Sequence, residues 1–194
     1  MKVRDSQLSK LFRAEHEALE NLGSALPAVS DIQEYLSKHS QSAPLRRRYG
    51  DAVDVIEWDL QVADGRGRRY PAAHGTDSIV IPRWARQDWI VLHQWAHIVH
   101  RRLNVDLWGW LSTPVLYEVA HGSRRKELQG GAEHGWQFAA IYLDLVRFCM
   151  GKEAAAALEA SFKAHRVRYR PKRTATGNIR NFRGFGAKTA SLHA

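Results

Sequence analysis

One stretch of the sequence, residues 83–103, repeats its apolar side chains at intervals of four and three. These side chains are Ala85, Trp89, Leu92, Ala96, Val99 and Leu103. Such spacing places them along one face of an α-helix, and that face must be buried against other apolar elements. The pattern therefore predicts a long helix, buried on one side, around which the rest of the chain folds.

Further elements are predicted on both sides of this helix. Helical spacing of apolar residues also runs through residues 8–22, 30–36, 138–149 and 153–165. Strands are predicted at residues 51–60, which are rich in Val, Ile and Trp, and at residues 78–81, with a loop from residue 40 to the first strand. Residues 167–170 are a candidate edge strand, and residues 104–130 show no sustained periodicity. We expect an α+β fold in which a small sheet packs on the long helix and other helices flank it.

The net charge of +9 is distributed unevenly along the 194 residues. Residues 166–194 carry eight Lys and Arg and no acid, which leaves 21 basic and 20 acidic residues for the rest of the chain, a net charge of +1. We therefore expect a folded domain at residues 1–173 and a flexible basic tail at residues 174–194.

Composition narrows the class of protein further. No apolar run is long enough to cross a membrane or to form a secretion signal, so we expect a cytoplasmic protein without a membrane partner. Cys149 is the single cysteine, which excludes an internal disulfide and a cysteine-based zinc site. A metal ion would have to be held by carboxylates and by some of the ten histidines.

The long helix carries the pattern His-Gln-Trp-Ala-His at residues 93–97. Histidines four residues apart on a helix project from one face, close enough for His93 and His97 to bind one zinc ion. The spacing is that of the H-E-x-x-H helix of zinc hydrolases, with Gln94 in place of the glutamate. A tetrahedral zinc site needs a third protein ligand from elsewhere.

His134 is the first candidate for that third ligand, because it stands at the start of another strongly apolar helix. The alternative is that His134 only caps this helix. His100 lies one turn beyond His97 and is expected at the rim of the site. His121, Glu118 and Glu133 are the remaining candidates.

Five segments together resemble a known family. They are residues 4–10, 81–86, 91–97, 134–139 and 168–173. In this order they are similar to a family of small metallohydrolases from actinobacteria and their mobile elements, over about residues 3–173. The resemblance implies a compact zincin-like fold, related in motif layout to SprT-like metalloproteases. It also implies that His93, His97 and His134 bind zinc and that position 94 holds the catalytic base.

Gln94 and the segment after the second histidine depart from this family. Residues 104–130 form a longer connection than the family usually has. A glutamate at position 94 would accept a proton from the attacking water, whereas an amide does not titrate near neutral pH. Gln94 fits either a natural metal-binding protein that has lost hydrolysis or a deliberate change that arrests it. Glu133 is a reserve base. The simpler explanation is that its negative charge favours the N-terminus of the following helix through the helix macrodipole.

Two further groups of residues are candidates for binding. Trp95 and Trp136 flank the proposed ligands and either wall a pocket or pack between helices, while Trp84 and Trp89 are expected in the core. The basic residues expected to contact DNA or RNA are Arg170, Lys172, Arg173, Arg180 and Arg183. A tail that only aids solubility is the equally weighted alternative.

The leading hypothesis is therefore a zinc site of metallohydrolase type. With Gln94 in place of the base, we expect the protein to bind zinc and to hydrolyse a protein or peptide substrate poorly. The alternative is a nucleic-acid-binding protein, with a structural metal site, that acts through its basic tail.

Overall fold

The computed structural model describes residues 7–109 and 133–170, with only the backbone described at residues 104–109. These parts contain six α-helices and three short strands, in agreement with the α+β class expected. The helices are α1 (Leu8–Leu19), α2 (Val29–Ser40), α3 (Ala43–Tyr49), α4 (Asp88–Gly109), α5 (Trp136–Cys149) and α6 (Lys152–Ala164). The strands are β1 (Gln61–Asp64), β2 (Ala72–His74) and β3 (Ser78–Ile81). The tail predicted at residues 174–194 lies outside the described residues.

The three strands form one sheet with β3 in the centre. β1 pairs with β3 in parallel, with Asp64 opposite Ile81, and β2 pairs with it antiparallel, with Ala72 opposite Val80. Helix α4 packs on β2 and β3, and α2 packs on β1. Ile79 and Ile81 are fully buried, so the central strand anchors the sheet to the core.

Helix α4 is the centre of the molecule and is buried on more than the one side predicted. Every residue from Val91 to Val99 is buried, because the sheet covers one side of the helix and α5 covers another. Helix α6 then packs on α5, and α1 packs on α6. No helix in residues 7–109 or 133–170 combines the length and the apolar character that a membrane crossing needs.

The strand predicted at residues 51–60 is wrong. Part of the expected loop forms α3, and residues 50–53 continue it as a 3-10 turn. The carboxylate of Asp54 then accepts hydrogen bonds from the backbone N–H groups of Ile56 and Glu57, at 2.9 and 3.1 Å. This local hydrogen bonding competes with a strand ladder, so the chain turns and the strand begins only at Gln61.

Two smaller predictions also fail. Residues 167–170 form no strand, because the side chain of Gln7 accepts a hydrogen bond from the backbone N–H of Arg168 (2.6 Å) where a sheet neighbour would be needed. Trp84, expected in the core, has 60% of its surface exposed, whereas Trp89 is buried as expected.

Candidate metal centre

Helix α4 brings His93 and His97 together, one helical turn apart. Both side chains are buried, and their Nε2 atoms lie 3.2 Å from each other. The sequence alone requires this proximity, since residues four apart on a helix occupy the same face.

His134 reaches the same place from a different element. It immediately precedes Gly135, the N-cap of α5, and its ring is also buried. One ring nitrogen from each of the three histidines lies within 4.8 Å of the other two. The side-chain amide of Gln7 donates a hydrogen bond to the backbone carbonyl of His134 (2.9 Å), which fixes the turn before α5 against the start of α1.

The spacing of the nitrogens fits a tetrahedral metal ion. Two imidazole nitrogens bound to zinc at 2.0–2.1 Å with a tetrahedral angle lie about 3.3–3.4 Å apart. The distance between the Nε2 atoms of His93 and His97 is 3.2 Å, close to this value. The pair therefore needs only a small adjustment to share one ion.

Glu15 on α1 completes the cluster, and the sequence analysis did not identify it. Its side chain is 1% exposed, and its two oxygens lie 2.8 and 3.0 Å from His93 Nδ1. A carboxylate only accepts hydrogen bonds, so His93 Nδ1 carries the proton and donates it. In the neutral ring the lone pair is then on Nε2, the atom that faces His97. This is the arrangement in which a carboxylate orients a metal-binding histidine.

A signal for Glu15 was present in the sequence. The buried face of α1 carries Leu11, Ala14 and Leu19, and Glu15 lies between them on the same face. A single acid inside an apolar stripe has to have a polar or cationic partner, because an unpaired buried charge is costly. The stripe showed that α1 is a core helix, but it did not show which residue Glu15 meets.

Aromatic rings enclose the histidines. Phe138 on α5 packs against all three rings, with centroid distances of 5.0 Å to His93, 4.3 Å to His97 and 5.0 Å to His134. Phe12 on α1 stacks on His93 at 5.3 Å and remains 49% exposed. The cluster is therefore walled by apolar side chains on the α5 side, and Phe12 lies between it and the surface.

Electrostatics keep the ring of His97 suited to metal binding. Burial lowers the pKa of His97 well below the usual histidine value, and the nearby His93, His134 and Arg101 lower it further. A neutral imidazole is the form that binds a metal ion. His97 Nδ1 is buried and has no hydrogen-bond partner among the described residues. His100, the rim candidate, is partly buried, and burial together with Arg101 lowers its pKa to about 4.

The other residues singled out from the sequence take different positions. Gln94 directly follows His93 on α4 and is buried, with 6% exposure. Glu133 is 61% exposed and its carboxylate is paired with Arg101 at 2.6 Å, so the reserve base is engaged in a surface ion pair. Trp136 is half-buried in the first turn of α5.

Trp95 is fully buried, two residues after His93 on α4. At about 100° per residue, this places it on the opposite side of the helix from His93 and His97. Helix packing, the alternative weighed for Trp95, therefore accounts for it, and a role in walling the pocket does not.

The candidates for nucleic-acid binding and the remaining candidate ligands complete the comparison. Arg170 is exposed and pairs with Glu159 at 3.1 Å. The remaining candidates lie outside the described residues: Glu118, His121, Lys172, Arg173, Arg180 and Arg183.

Comparison of the chain with protein-family models, with curated proteins and with solved structures gives no match. The case for the site therefore depends on its geometry and its chemistry.

Proposed function

We propose that the protein binds one zinc ion through His93, His97 and His134, with Glu15 orienting His93. The observation that carries this proposal is the convergence of a buried carboxylate and three buried imidazoles on one point of the core. Within the described residues, Glu15 has no Lys or Arg partner, and His93 is its one ion-pair partner. A bound cation would compensate the buried charge that the folded protein otherwise has to tolerate.

The donor set favours zinc. Three imidazole nitrogens with no cysteine form a borderline donor set that suits zinc, and three protein ligands leave a fourth position open, as in catalytic zinc sites. When bound there, zinc would act as a Lewis acid and lower the pKa of a water molecule. The zincin-like fold implied by the family resemblance is part of this proposal.

Gln94 determines what such a site can do. Its amide can donate or accept a hydrogen bond, but it cannot take up the proton that hydrolysis by water releases. Glu133 is held by Arg101 at the surface and does not replace it. We therefore propose a metallohydrolase-type zinc site with little or no hydrolytic activity. A protein or peptide is the substrate class that the family resemblance favours, and a cytoplasmic location is the one that fits the composition.

Elemental analysis of the full chain, purified without chelator, tests the proposal. We expect one zinc ion per chain, and we expect His93→Ala, His97→Ala and His134→Ala each to lose tight binding. His16→Ala is the matched control, because His16 lies on α1 with an exposed side chain that pairs with Glu20. A metal-free parent protein, or triad variants that keep zinc as well as the control does, would overturn the proposal.

A further inference from the structure

A second feature lies at the end of the sheet where β3 terminates. The connection from β1 to β2 crosses this end, since Asp64 pairs with Ile81 and Ala72 pairs with Val80. The backbone N–H of Gly65 donates a hydrogen bond to the carbonyl of Ile81 at 3.0 Å. A Cβ atom at Gly65 would lie 2.7 Å from the nitrogen of Pro82, so glycine is required for this close approach. Residues 66–70 and residues 83–84 therefore emerge side by side.

These two segments carry four exposed arginines and two exposed aromatic side chains, which we call the sheet-end patch. Its members are Arg66, Arg68, Arg69, Tyr70, Arg83 and Trp84. Tyr70 and Trp84 have 62% and 60% of their surface exposed, and the guanidinium of Arg69 lies over the Tyr70 ring at 5.2 Å.

Nothing in the described parts of the chain neutralises this cluster. None of the four arginines forms an ion pair with a described acidic side chain, and Arg68 instead lies 3.3 Å from a ring nitrogen of His74. Asp64, the acid at this end of the sheet, is paired with Arg86 at 3.0 Å. Residues 1–165 have a net charge of only +1, but their charges are segregated, and the four arginines of the patch have no acidic partner among the described residues.

We propose that the sheet-end patch binds single-stranded nucleic acid. Proteins that bind single strands combine cations that contact phosphates with aromatic rings on which bases stack, and the patch presents both. A duplex hides the faces of its bases, so the rings Tyr70 and Trp84 favour a single strand. This inference does not depend on the zinc site or on the basic tail.

Binding of a labelled oligothymidylate of about 16 nucleotides to the full chain, followed by fluorescence anisotropy over a range of salt concentrations, tests this inference. The variant is Arg66→Gln/Arg68→Gln/Arg69→Gln. The matched control is Lys10→Gln/Arg13→Gln/Arg47→Gln, which removes the same charge from exposed positions on α1 and α3. The slope of log affinity against log salt is negative, and each lost phosphate contact on a single strand makes it shallower by about 0.7, so we expect the slope of the variant to be shallower by about 2. The control should leave the slope unchanged.

Trp84→Ala tests the stacking contribution separately. It removes no charge, so we expect an unchanged salt slope and an affinity for the single strand that is roughly tenfold lower. Circular dichroism and thermal unfolding would show that the variants are folded, as expected for exposed positions.

Three results would overturn the inference. The first is a triple variant that binds the oligonucleotide as its control does, and the second is a Trp84→Ala variant with parental affinity. The third is polyglutamate binding with the same affinity and the same dependence on the patch, which would assign the surface to an acidic protein partner. The basic tail is present in every variant, so it contributes equally to each comparison.

Discussion

Replacement of Glu15 by glutamine tests how the metal centre is built. In the parent protein both carboxylate oxygens of Glu15 lie within 3.0 Å of His93 Nδ1. Glu15→Gln keeps the size of the side chain, but it removes the negative charge and turns one of the two acceptors into an NH₂ donor. The amide therefore holds the His93 ring less firmly and makes Nε2 a weaker ligand.

The expected loss of zinc affinity follows from the role of a carboxylate that orients a metal-binding histidine. Loss of the group that orients a metal-binding histidine costs about 10–100-fold in metal affinity, or roughly 1.4–2.7 kcal/mol. In the metal-free protein the same substitution has the opposite effect and favours the folded state, because a buried carboxylate is costly to desolvate and an amide is less so. We therefore expect the metal-free Glu15→Gln protein to be at least as stable as the metal-free parent, and zinc to stabilise it less.

Two assays measure this difference. Competition with a chromophoric chelator gives the zinc affinity, and thermal unfolding with and without excess zinc gives the stabilisation by the metal. Glu17→Gln is the control, because Glu17 is on the same helix, is 62% exposed and pairs with His165 at the surface. A Glu15→Gln protein with parental zinc affinity and lower metal-free stability would refute the argument and make Glu15 a structural residue.

The remaining predictions concern catalysis, the third ligand, the thiol and pH. Gln94→Glu should raise zinc-dependent hydrolysis of unfolded protein substrates by about 10²–10⁴-fold, and the chelator should abolish the gain; an inactive Glu form that still binds zinc would make the metal structural. His121→Ala should keep its zinc in elemental analysis, whereas loss of the metal would move the third ligand to residue 121. Burial raises the pKa of Cys149 well above the usual thiol value, so a disulfide reagent at mildly alkaline pH should label the folded protein far more slowly than the unfolded one. Burial alone would raise the pKa of Asp54, but its two backbone N–H donors and Arg46 lower it overall. The stability gained over Asp54→Asn should therefore be complete above the unfolded carboxyl pKa of about 3.9 and be lost as the pH falls below it, which unfolding titrations at several pH values would show.

Apart from α3, the described helices were predictable because their apolar spacing is regular and continues over many residues. The spacing in residues 138–149 and 153–165 predicted α5 and α6 to within one or two residues. The start of α4 was placed five residues early, because the stripe continues back to Ala85, which is buried in a 3-10 turn instead. The apolar spacing indicates which side chains are buried. It does not indicate whether the backbone that carries them forms an α-helix or a 3-10 turn.

The strand predicted at residues 51–60 failed for a related reason. Ala52, Val53 and Val55 are buried as a strand would bury them, but in consecutive turns. The buried guanidinium of Arg102 donates hydrogen bonds to the carbonyls of Ala52 and Asp54, at 3.2 and 2.7 Å, and so satisfies backbone groups that a sheet would otherwise pair. This contact joins residues about fifty positions apart, and no local pattern predicts it.

The metal centre was predictable in part. The spacing of His93 and His97 follows from helix geometry, and His134 was chosen because it begins an apolar helix. Glu15 and Phe12 come from α1, far away in the sequence, and only the packing of the helices brings them to the histidines. The sheet-end patch likewise depends on topology, because the register of β3 places Trp84 beside the arginine-rich loop.

X-ray absorption at the zinc edge of the full chain tests the central claim most directly. Zinc held by His93, His97 and His134 predicts a shell of nitrogen and oxygen neighbours at about 2.0–2.1 Å, with the outer scattering of three imidazoles and no sulfur at about 2.3 Å. In His134→Ala one imidazole should disappear from the signal of any zinc that remains. A sulfur neighbour, a shell without imidazole scattering, or an unchanged spectrum in His134→Ala would contradict the assignment.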